Sequence, residues 1–257
     1  MTAPAVGRII EREVVVFRRL WRGFVFTSVV APVLFLAAMG LGLGGMIDAR
    51  NRKVAGLTYL VFVAPGLLAA SAVQSAAGES LWPVLGGVKW VRNYHGAVAT
   101  PVSSFDVMLG TLAWMALRTA VIAIVFLVVA SLFGGIPSPW AVLAVPAAVL
   151  CALAFATPLS AYAISQDSDA SFGLIMRIGI VPLFLFSGTF FPISQLPAAI
   201  RPLAAASPLW HGVELCRQAT TGHLRAGAAV VHVAVLLVFV VAGLVVGRTT
   251  FARRLSA

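Results

Sequence analysis

Long apolar runs alternate with short polar breaks along this chain, and several runs approach or exceed the roughly 20 residues that span a hydrocarbon core. The pattern predicts six transmembrane helices at 23–45, 57–78, 107–133, 139–164, 172–191 and 228–247. Pro32, Pro65, Pro146, Pro158 and Pro182 fall inside them, with Pro146 and Pro158 placed to bend the fourth span. The second span carries Ala69, Ala70, Ser71, Ser75, Ala76 and Ala77, small residues that let a neighbouring helix approach closely. Glu79 marks its predicted end. Alternating apolar and polar strands are absent, which argues against an outer-membrane barrel.

Three segments break the rhythm. Residues 4–22 repeat apolar side chains at three- and four-residue steps: Val6, Ile9, Ile10, Val14, Phe17, Leu20 and Trp21. Only Glu13 falls off that pattern, while Arg8, Glu11, Arg12, Arg18, Arg19 and Arg22 take the opposite face. This is the pattern of an amphipathic helix lying in the headgroup region. A signal peptide would end at a small-residue cleavage site, and no A-x-A-like site follows. Residues 79–106 form a polar elbow, in which Thr100-Pro101 stops one helix and caps the next. Residues 192–227 predict two short helices, Pro197–Ala206 and Pro208–Thr221, with Ser207 as N-cap and Gly222 as stop. Both are too short to span and are expected to be re-entrant or interfacial. The expected fold is therefore an all-α membrane protein of one domain, 1–257, with six spans, an amphipathic start and short re-entrant helices before the sixth.

Composition agrees. Of 257 residues, 61% are hydrophobic and 10% charged, and mean hydropathy is +1.02, too apolar for a soluble domain. The net charge of +10 sits at helix ends rather than in a stripe with interleaved aromatics, so no nucleic-acid partner is expected. Six spans place both termini on one side. Arg8, Arg12, Arg18, Arg19, Arg22, Lys89, Arg92, Arg248, Arg253 and Arg254 outnumber Arg50, Arg52, Lys53, Arg201, Arg217 and Arg225 on the other. The bias puts both termini in the cytoplasm of a cell inner membrane. Cys151 and Cys216 differ in depth and have no metal-ligand neighbours, so both are read as packing residues.

Candidate chemistry is sparse. No G-x-x-x-x-G-K-[ST], H-E-x-x-H or G-x-S-x-G occurs. Arg118, about ten residues into the third span, either contacts an anionic headgroup or pairs with a neighbouring helix. His211, Glu214, Arg217 and Gln218 share one helix face, as an outer gate or as an exposed loop with a local ion pair. Phe184, Phe186, Phe190 and Phe191 either line a hydrophobic exit or face lipid. A secondary transporter or channel would need acidic or ion-coordinating sites near the midplane. A membrane-embedded lipid-modifying enzyme would need a His/Asp/Glu cluster, for which His211 and Glu214 are thin material.

Three motifs resemble a known family. Tyr94-His95-Gly96-Ala97-Val98-Ala99-Thr100-Pro101-Val102-Ser103, then Leu109-Gly110, is similar to the L-A-T-P-V-S…L-G run of type-2 ABC exporter permeases. Phe186-Ser187-Gly188-Thr189-Phe190-Phe191-Pro192, then Leu196-Pro197, resembles their F-x-S-G-x-F-F-P…L-P run. Pro208-Leu209, Arg217 and Gly222 resemble the segment before their sixth helix. The nearest likeness is to nodulation lipo-oligosaccharide and daunorubicin-type permeases. Gly96-Ala97-Val98 departs from the family's bulkier residues.

The resemblance implies a non-enzymatic transport subunit, with no cofactor on this chain. ATP and Mg belong to a separate ATPase, and a second permease copy or paralogue completes the dimer. It also implies export of an amphipathic molecule: a lipid-linked saccharide, a glycolipid or a hydrophobic drug. Lys89, Trp90, Arg92, Asn93, Tyr94 and His95 would then form a coupling helix seated on the ATPase.

Overall fold

A computed structural model of the chain describes residues 3–25, 30–38, 42 and 54–256. Among them the regular structure is helical, apart from one isolated bridge between Val54 and Leu57. The helices are α1 (Ala3–Val25), α2 (Ala31–Ala37), α3 (Tyr59–Lys89), α4 (Asn93–Val98), α5 (Ser104–Leu132), α6 (Ala144–Ile164), α7 (Phe172–Phe186), α8 (Arg201–Ala206), α9 (Pro208–Thr221) and α10 (Ala226–Leu255). Among the described residues, four segments are long and apolar enough to cross a membrane: α3, α5, α6 with its 3₁₀ lead-in from Pro139, and α10. Within the predicted first span, 23–45, residues 26–29, 39–41 and 43–45 lie outside the described residues, and α2 is its described centre. The turn Asp48–Lys53 lies outside them too.

Helix α6 is the hub, and α3, α5, α9 and α10 all pack on it. Its buried face is made of small residues, among them Ala144, Ala148, Ala152, Ala156, Ala161 and Ala163. The small residues foreseen on the second span, Ala69, Ala70, Ala76 and Ala77, are buried on α3. Glycines bring backbones closer still. A Cβ on Gly243 of α10 would lie 2.4 Å from Thr157 Oγ1, and one on Gly212 of α9 would lie 2.2 Å from Cys151 Sγ. Lipid tails supply no hydrophobic drive between helices, so close contact of this kind holds the bundle. Cys151 and Cys216 are free and buried at the α6–α9 contact, with Cys216 Sγ 3.8 Å from the Ala144 carbonyl. Burial pushes the Cys216 thiol up to about 12, so it is a packing group rather than a reactive one.

Several predicted boundaries move. The second span does not stop at Glu79; α3 runs on to Lys89 because Glu79 is neutralised by Arg118, 3.1 Å away on α5. The elbow therefore shrinks to the residues after Lys89. Helix α5 is capped by Ser103, not Thr100. Ser103 Oγ accepts from the Asp106 N–H, and Asp106 Oδ2 accepts from the Ser103 N–H, both at 3.1 Å, a capping box. Thr100 instead donates its hydroxyl to the Ala97 carbonyl, 2.7 Å away. The fifth span is shorter than 172–191. Helix α7 winds as a π-helix over Ile175–Ile180, just ahead of Pro182, and ends at Phe186 before Gly188 at φ 78°. Helix α9 forms as the sequence indicates, with Pro208 in the first turn, Ser207 Oγ accepting from the Leu209 N–H and Gly222 at φ 76°, whereas α8 starts at Arg201 rather than Pro197, after a turn over 198–200.

The packing gathers two sets of connections at opposite ends of the bundle. One end holds α4, the 165–171 loop and the last turns of α10, joined where Arg254 donates to Asp167 Oδ1 at 2.7 Å and the Lys89 ammonium donates to the Asp167 carbonyl. At the other end, Gly135 lies against Leu60, Gly222 against Ser138, and Gly66 against Thr189.

The α6–α9 contact yields a test. Gly212→Val should destabilise the purified protein by about 1–3 kcal/mol through overpacking, read as a lower midpoint of denaturant unfolding in detergent. Adding Cys151→Ala should recover part of the loss, since it removes the sulfur but keeps the Cβ, which the new side chain would meet at 2.6 Å.

Candidate functional site

The elbow has an outer and an inner layer. Helix α3 ends as the Val91 N–H donates to the Gly86 carbonyl at 2.8 Å, and Arg92 at φ 55° turns the chain into α4. That turn leaves Trp90 58% and Val91 70% exposed, flanked by exposed Lys89 and Arg92. A cleft of about 430 Å³ opens beside them, lined by Val88, Lys89, Arg92, His95 and Arg254. Tyr94, expected in the outward set, points inward instead and is 4% exposed. The cause is Gly87: a Cβ there would meet Tyr94 Cζ at 2.8 Å and Asn93 Oδ1 at 3.0 Å, so the missing side chain admits both residues. Burial raises the Tyr94 phenol above its ordinary 10.0, so it stays a neutral donor.

A second cluster forms at the opposite end. His211 Nδ1 of α9 lies 2.7 Å from His232 Nδ1 of α10, one ring donating to the other, and Trp210 meets both rings edge-on. Arg217 pairs with Glu214 at 2.5 Å, donates to the Gly188 carbonyl at 2.7 Å and stacks 4.2 Å over the Phe62 ring. One guanidinium thus ties α9 to α3 and to the turn after α7, which is more than a local surface ion pair would do. Glu214, Arg217, Gln218, His223, Arg225 and His232 line a cleft of about 390 Å³ on this side. Phe190 meets Phe184 edge-on at 5.1 Å; Phe191 is half-buried and Phe186 exposed.

Arg118 is at neither end. It sits within α5, paired to Glu79, whose Oε1 also accepts from Ser75 Oγ at 3.3 Å. Of the two readings left open for Arg118, the geometry supplies the interhelical pair.

The model of the ABC-2 type transporter family matches residues 4–221. The chain belongs to that family. It is 28% identical to nodulation protein J of Rhizobium leguminosarum bv. viciae, over 99% of this chain and 98% of that one. It is 27% identical to nodulation protein J of Bradyrhizobium diazoefficiens, over 95% and 92%. It is 23% identical to the inner membrane transport permease YadH of Escherichia coli (strain K12), over 93% and 91%. The chain is thus a multi-pass membrane permease of the ABC-2 family, and the three motifs had pointed to the right relatives.

Sequence reasoning missed three partners in this permease. Glu79 reads as a boundary, although a carboxylate followed by Leu81, Pro83, Val84 and Leu85 still sits in an apolar run. His232 lies in the sixth span, where a histidine is itself a signal. Glu13, the off-pattern residue on α1, lies within electrostatic range of both Glu79 and Tyr94.

Two outcomes follow. Glu79→Ala should cost about 3 kcal/mol by stranding Arg118. Replacing both Glu79 and Arg118 by Met should cost less than the sum of the single changes; additive losses would reject the pair. At the other end, burial, and next the neighbouring His232, hold the His211 imidazole below its ordinary 6.5, while a hydrogen bond to the Ala205 carbonyl raises it. The folded state therefore binds this proton less readily than the unfolded one, and stability falls as pH drops below about 6.5. Cross-linking between cysteines placed on α9 and α10 should change on acidification in the parent chain, and His211→Gln should flatten that dependence.

Proposed function

We propose that this permease forms the membrane path of an ATP-driven exporter of amphipathic molecules, with hydrolysis on a separate ATPase subunit that binds Mg and ATP. Two permease chains, identical or paralogous, line the path. The elbow and both termini face the cytoplasm of the inner membrane. The first span completes a six-helix topology, and α8 and α9 re-enter from the outer side.

The observation that carries the reading is the outward layer of the elbow. Trp90 and Val91 expose apolar surface between the cations Lys89 and Arg92, in the turn between the long helix α3 and the short helix α4 that carries His95. A knob so built seats in a groove of a partner and passes a rigid-body movement into α3 and α5. The sequence itself has no P-loop to supply that movement. The amphipathic face of α1 packs on α5, where Gly110 admits Ile9 and Trp114 meets Phe17 edge-on at 5.7 Å, so α1 steers the same helix. The membrane lipids are its other neighbour.

The rival reading, a secondary transporter or channel, gains Glu79 as a carboxylate inside a span. Its salt bridge to Arg118 counts against an ion-carrying role. Arg118, Phe186, Phe190, Phe191, His211, Glu214 and Arg217 remain the residues proposed for the path and outer gate, the last three as a clamp on α9.

A photo-reactive side chain at Trp90 or Val91 should capture a nucleotide-hydrolysing protein in intact membranes. The purified permease should hydrolyse no ATP until that protein is added. Export driven by an ion gradient with this chain alone would overturn the reading.

A further inference from the structure

Helix α4 spans Asn93–Val98 and buries a single residue, Tyr94. A helix of one and a half turns has little stability of its own, so its position depends on what that side chain touches. The ring lies against α3 at Gly87, where a Cβ would come within 2.8 Å. The phenol oxygen lies 3.3 Å from Thr111 Oγ1 of α5. Thr111 spends its own proton on the Val107 carbonyl at 2.9 Å, so Tyr94 is the donor. On the α10 side the ring faces Phe251 at 6.4 Å between centroids. From α1, Arg12 and Glu13 lie close enough to act on the phenol electrostatically.

We propose that Tyr94 is the positioning residue through which displacement of the elbow reaches α1, α3, α5 and α10 together. The inference rests on the coupling reading above and divides the elbow's work. Trp90, Val91 and Arg92 receive the partner, whereas Tyr94 touches no partner and hands the movement inward. A stiff aromatic seated on a bare backbone suits that task, because a packed contact without a side-chain cushion transmits a shift rather than absorbing it. The Thr111 bond keeps α4 and α5 in register, and Ile9 and Phe17 carry α1 along with α5.

The test uses the complex with the ATPase subunit captured at Val91, and nucleotide as the probe. Spin labels are placed on cysteines introduced at the exposed positions Leu132 and Val230, near the far ends of α5 and α10. Cys151 and Cys216 are buried and do not compete for label. In the parent complex, ATP with vanadate should shift the distance between labels. Tyr94→Ala should abolish that shift while capture at Val91 and ATP hydrolysis persist. Tyr94→Phe removes the shared bond alone, and Thr111→Val removes it together with the local bond to the Val107 carbonyl, both with little volume change. Both should shrink the shift, and their combination should do no more than either alone.

A merely structural tyrosine would lower the unfolding midpoint and leave the shift intact. A full nucleotide-driven shift in Tyr94→Phe and Thr111→Val would overturn the proposal, also if Tyr94→Ala fails to fold. Failure of the parent chain to capture any ATPase at Val91 would strike the coupling reading instead.

Discussion

Close contact between small residues is what the rest of this membrane domain depends on. In water, apolar faces associate because burial removes them from solvent. In lipid that drive is absent, and helices stay together through close packing and internal polar pairs. The alanine face of α6 answers that constraint, with Gly243 and Gly212 bringing α10 and α9 onto it. Because α6 touches four neighbours, the positions of α3, α5, α9 and α10 are set by one surface. The polar groups named above can meet only because those four helices are held at fixed distances.

The polar contacts answer the second half of the same constraint. Glu79 and Arg118 would each be costly alone in hydrocarbon, and as a pair they let α3 continue unbroken toward the elbow. That continuity makes Trp90 the cap of a long helix and Arg92 the turn into α4, rather than parts of a slack loop. At the opposite end, Arg217 spans α9, α3 and the Gly188 turn, while the His211–His232 bond joins α9 to α10. The helix that does not cross is thereby fastened on three sides. The two ends differ in chemistry. One is basic, with exposed aromatic and apolar surface; the other is a cleft of mixed sign containing two histidines.

The amphipathic start links these themes. Its apolar stripe, with Ala5 and Ile9 buried, lies along α5, and Glu13 interrupts the stripe opposite the Glu79 and Tyr94 region.

Local features were legible in the sequence because they are encoded within a few residues. Apolar runs announce spans, three- and four-residue spacing announces α1, and Ser207-Pro208 with Gly222 announces both ends of α9. The family motifs are short contiguous strings and could be read in the same way. What needed the tertiary structure was every pairing across helices. Glu79 with Arg118, His211 with His232, and Tyr94 with Gly87 and Thr111 depend on the rotation of one helix against another. That rotation is set by where the glycines and alanines of α3, α6, α9 and α10 permit contact, and no local periodicity records it. The Glu79 boundary failed for this reason: a charge signals the end of a span only when nothing inside the membrane neutralises it.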